Sequence, residues 1–128
     1  MAYAGIATML LAYKMRKSDK EFDLLQISQK MTTATRQSSD FVEEYENKKA
    51  ALVKQFGGDD APGYEDALDD LTQEHDMQMA EIADWEDELE QQQSNCETEI
   101  SLLNGYINSW QSALQQNISK DHTYGAVQ

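Results

Sequence analysis

The densest group of metal-ligating side chains is Glu74-His75-Asp76, with Met79 one turn on and Glu81 and Asp84 close by. Helix bundles that hold a metal pair a Glu with a His three residues later. Position 72, where that Glu belongs, is Thr72, and the other histidine, His122, lies far along the chain. No metal ligands are therefore expected, and His75 reads as a seam residue. Met77 and Met79 read as adaptable packing. The acids Asp59, Asp60, Glu65, Asp66, Asp69 and Asp70 suggest calcium, but Gly57 to Leu68 lacks the alternating oxygens and the bidentate Glu at the twelfth position that a calcium loop needs. They are expected to form a solvated acidic face. Cys96 is expected to be buried as a small apolar side chain. There is no glycine-rich phosphate loop and no carboxylate pair in an apolar setting. No catalytic residue and no cofactor are expected.

Those side chains belong to a chain of 128 residues with 24 acids, 10 bases, a net charge of −14, one Pro and one Cys. That length allows one small domain. A lone cysteine cannot build a disulfide framework, and no apolar run reaches the roughly 20 residues of a membrane span. Nucleic acid and anionic lipid both attract clustered Lys and Arg, so neither is an expected partner. The charge is unevenly placed. Residues 1–56 hold nine bases and seven acids, whereas residues 57–128 hold one base, Lys120, and seventeen acids. Residues 1–13 and 100–119 carry no charge.

Steps of four and three from Ile6 give Leu10, Tyr13, Lys17, Lys20, Leu24, Ile27, Met31, Ala34, Ser38, Phe41, Tyr45, Lys48, Leu52 and Gln55; ten of the fifteen positions are apolar. A 3.5-residue repeat with no Pro or Gly after Gly5 predicts one helix over about 3–56 with a coiled-coil seam. Gly57-Gly58 should end it, and Asp59 or Asp60 should cap a second helix with Pro62 in its first turn. That helix, about 62–119, has its seam at Leu68, Leu71, His75, Gln78, Ile82, Trp85 and Leu89. After an extra step of four near Gln91 to Gln93 the seam resumes at Cys96, Ile100, Leu103, Ile107, Trp110, Leu114 and Ile118. Residues 120–128 read as a tail. Asn117-Ile118-Ser119 matches a glycosylation acceptor but falls where a glycan would block packing.

The fold class is therefore all-α: an antiparallel two-helix hairpin with loop 57–63, position i lying beside roughly position 120 minus i. The two uncharged segments then meet. Two helices bury one stripe each, too little core for their length, so packing between subunits is expected to complete the fold. Tyr3, Ile6, Met9, Leu10, Leu11 and Tyr13 point round most of the first turns instead of along one seam, and a helix apolar on all sides is buried on all sides. The expected assembly core is Tyr3, Ile6, Leu10, Tyr13, Leu103, Ile107, Trp110, Leu114 and Ile118; Gly57, Gly58, Asp59, Asp60 and Pro62 form the exposed loop.

This layout, a long α-hairpin with low-charge termini that meet and an acidic region facing away, resembles the needle and filament subunits of type III secretion systems and the terminal coiled-coil region of flagellins. The resemblance implies self-assembly of the terminal helices into a tube and export without a cleaved signal peptide. The order of residues agrees, because Lys14, Arg16 and Lys17 follow the apolar start instead of preceding it. The expected function is a structural homopolymer at the cell surface or outside the cell, with membrane contact not expected and an export chaperone as a further partner. The alternative is a cytoplasmic acidic coiled-coil adaptor, or an export chaperone, acting in a small oligomer.

Overall fold

A computed structural model describes the backbone of residues 2–127 and the side chains of residues 4–119. It contains two helices, α1 (Ala2–Phe56) and α2 (Tyr64–Val127), packed against each other as an all-α helical hairpin. The second helix differs from expectation at both ends. It begins at Tyr64, two residues late, and continues to Val127 through the segment read as a tail.

The late start has a local cause. Gly57 takes the left-handed conformation with φ +79°, and the Gly58 N–H donates to the Val53 carbonyl at 3.0 Å, the six-to-one bond of a Schellman C-cap. The Tyr64 N–H then donates to the Ala61 carbonyl at 3.2 Å, with Pro62 and Gly63 (φ +85°) as the central pair. Proline fixing a negative φ before a glycine at positive φ is the chemistry of a type II turn. That turn occupies Pro62, so it precedes the helix instead of sitting in its first turn. Phe56 and Tyr64 close the connection edge to face, centroids 6.3 Å apart.

The chain divides into two compact units, both built from a length of α1 beside a length of α2. The loop unit comprises residues 28–91. Its buried side chains are Ala34, Tyr64, Ile82 and Leu89, Leu89 being 1 % exposed. Tyr45 stacks on His75 at 4.3 Å and its hydroxyl shares a 3.0 Å hydrogen bond with that of Thr72. Both pairs agree with a partner near 120 minus i. The α1 seam here departs from the expected spacing: Lys49 and Phe56 are half-buried while Lys48 and Gln55 are exposed. Two successive steps of four, Phe41 to Tyr45 to Lys49, give an eleven-residue period that turns apolar Phe56 inward in place of polar Gln55.

The terminal unit comprises residues 1–27 and 92–128. Ile6, Leu10, Ile27, Cys96, Leu103 and Ile107 are buried in it. Tyr13 stacks on Tyr106 with centroids 5.3 Å apart, beside the expected Ile107. The extra step of four in α2 falls at Gln93, which is half-buried between exposed neighbours. At the far end Asn117 takes the half-buried place expected of Ile118, its amide donating to the Ala113 carbonyl at 3.0 Å.

Candidate functional site

In the terminal unit the seam is fastened by polar groups as well as apolar ones. Lys20 Nζ meets Glu99 Oε2 across the helices at 2.8 Å and Asp23 on its own helix at 3.9 Å. The hydrogen bond that Lys20 donates to Glu99, and then the Glu99 charge, raise the Lys20 pKa above the ordinary lysine value. Cys96 Sγ donates to the Lys20 carbonyl at 3.3 Å. Burial and then the Asp23 carboxylate push this thiol's pKa up, so it stays protonated and inert at neutral pH. The Arg16 guanidinium lies 6.0 Å from the centre of the Tyr13 ring, on one wall of an open groove of about 440 Å³ that also includes Glu99, Leu102 and Tyr106.

The expected assembly positions take three different places. Ile6, Leu10, Leu103 and Ile107 are buried in the chain's own seam, where a second copy cannot reach them. Tyr13, Trp110 and Leu114 are half-buried, and Ile118 is 46 % exposed. The Tyr3 side chain lies outside the described residues. In the connection, Gly57, Asp59, Asp60 and Pro62 are exposed and Gly58 is half-buried.

The surface left open to a partner is a different set. Eleven large apolar side chains among the described residues are exposed, and eight of them belong to the terminal unit: Met9, Leu11, Met15, Phe22, Leu25, Leu102, Tyr106 and Ile118. Leu11, Met15, Phe22 and Leu25 form a second heptad stripe with Ser18, on the side of α1 turned away from the seam. The spacing 11, 15, 18, 22, 25 carried that signal, with four apolar positions of five against three at 10, 13, 17, 20 and 24, but only the latter register continues along the whole of α1. Leu102 and Tyr106 are one turn apart on α2.

Chemistry beyond packing has little to build on. Among the described residues no three His, Cys, Asp or Glu side chains are grouped to hold a metal ion, and no helix is long and apolar enough to cross a membrane. The acids Asp59, Asp60, Glu65 and Asp66 line a shallow polar depression beside the connection. His75 has a buried Nδ1 without a hydrogen-bond partner, its ring flat against Tyr45.

The chain matches no protein-family model, no curated protein and no solved structure. A functional reading therefore has to come from its own surface and charge.

Proposed function

We propose that the chain is a structural, self-assembling subunit: a helical hairpin whose terminal unit packs against other copies in a filament or tube, with the acidic connection left in water. The observation that carries this reading is the gathering of eight of eleven exposed large apolar side chains in the terminal unit. Large apolar side chains left exposed on consecutive helical turns support an interaction surface. The loop unit, by contrast, exposes only Val42, Val53 and Met77 among its large apolar side chains and carries most of the acids. As the resemblance to exported filament subunits implies, the place of action is the cell surface or beyond.

The contacts of the proposed polymer come from outward residues, so a test must leave the seam alone. Leu10→Glu would unfold the hairpin as well as block assembly, because Leu10 is buried within the chain. Leu102→Glu, Tyr106→Glu and Ile118→Glu change exposed positions. Negative-stain imaging of the purified protein should show polymers that each of these variants reduces and Asp60→Ala does not. Monodisperse particles at all concentrations remove the polymer and leave the small-oligomer adaptor. Equal loss from the Asp60 variant contradicts the polarity.

A further inference from the structure

The outward stripe of α1 is finite and symmetric about its middle. Leu11 and Met15 lie on one side of Ser18, Phe22 and Leu25 on the other, and the next positions in the same spacing are Gln29, Thr32 and Arg36. The four apolar side chains are 55–61 % exposed, high for large apolar groups on consecutive turns. Among the described residues nothing covers them. The charges that border it change sign across the same centre: Lys14 precedes Ser18, and Asp19 and Glu21 follow it, whereas Lys17 and Lys20 are turned toward the seam, Lys17 3.6 Å from Glu21 and Lys20 toward Glu99, and Arg16 lies beside Tyr13.

We infer that this stripe docks against the same stripe of a second copy, antiparallel, about a two-fold axis near Ser18. In that arrangement Leu11 lies near the second copy's Leu25, and Met15 lies near its Phe22. The small Ser18 lets the helices approach at the centre. Lys14 of each copy then lies beside the second copy's Glu21, a carboxylate that Lys17 of its own chain reaches at 3.6 Å. The two-fold repeats every such contact, as in any isologous interface. A self-complementary stripe with self-complementary flanks fits another copy of itself, whereas an unrelated helix has no reason to match both. The contact closes on itself and yields a dimer, so it stands independently of the polymer proposed above, which would need further faces.

Sedimentation velocity of the full chain tests it, with far-UV circular dichroism as the check on helicity. The wild type should show a concentration-dependent dimer, and Phe22→Glu should remain monomeric with unchanged helicity. Lys14→Glu should weaken the dimer roughly tenfold, since two exposed attractions become repulsions. Adding Glu21→Lys to it should restore the wild-type constant. This exchange decides the matter even if Phe22→Glu loses helix. A monomeric wild type, a dimer untouched by Phe22→Glu, or a Lys14 defect that Glu21→Lys does not repair overturns the inference. Filaments are scored separately by imaging: dimers without filaments remove only the proposed polymer, and filaments without this dimer remove only the inference.

Discussion

His75 holds its place by shape more than by polarity. Its ring lies 4.3 Å from that of Tyr45, and its Nδ1 is buried with no partner. A buried polar atom without a hydrogen bond costs about 1–3 kcal/mol, so a ring of similar size and no polar atom should be preferred. His75→Phe should raise stability by about 1 kcal/mol in urea titration; a loss would show that the imidazole makes a needed contact. Cys96 gives the opposite kind of test. Its thiol pKa is raised, chiefly by burial, so the folded state holds the proton more tightly than the unfolded chain. That contribution is complete below the ordinary thiol range and is lost as pH rises through it toward the raised folded value. Melting temperature should therefore fall on the alkaline side with a slope that Cys96→Ala reduces, and thiol reagents should label the folded chain far more slowly than the unfolded one. Rapid labelling of the native protein contradicts the burial.

At the level of the helices, the hairpin and its pairing were readable from spacing, because two 3.5-residue repeats separated by Gly57-Gly58 leave few other solutions. The Tyr13–Tyr106 and Phe56–Tyr64 pairs fall where the pairing rule puts them. What spacing could not supply was the choice among neighbouring registers. Lys48 and Lys49 are alike, and only the inward turn of Phe56 decides between them. Nor could it tell which apolar positions the chain uses itself. Leu10 and Leu11 are chemically identical, and one is buried while the other is 60 % exposed. Two glycines test the helix ends and interior. Gly57 occupies the left-handed conformation at the C-cap, where a side chain costs about 1–2 kcal/mol, so Gly57→Ala should destabilise by that amount. Gly105 is exposed inside α2, and an added methyl group would meet nothing within 4 Å. Gly105→Ala should stabilise by about 0.5–1 kcal/mol through helix propensity. Loss of stability in the Gly105→Ala variant, read by urea titration, would mean that another chain packs against that position.

For the whole chain, the net charge of −14 matters through its placement. Sixteen of the 24 acids lie between Asp59 and Glu99, and residues 100–119 carry none. In a polymer those acids recur in each subunit and repel one another, while the apolar contacts are not weakened by screening. Raising ionic strength shortens the range of the repulsion from roughly 30 Å at 0.01 M to about 8 Å at 0.15 M. Assembly should accordingly strengthen with salt. The most direct measurement is the weight-average molar mass by static light scattering, followed against protein concentration at several ionic strengths. Self-assembly predicts a mass that climbs well beyond a dimer, climbs further with salt, and stays low for Leu102→Glu. A mass that stays at 14.6 kDa or levels off at a small fixed multiple of it under all these conditions would contradict the polymer.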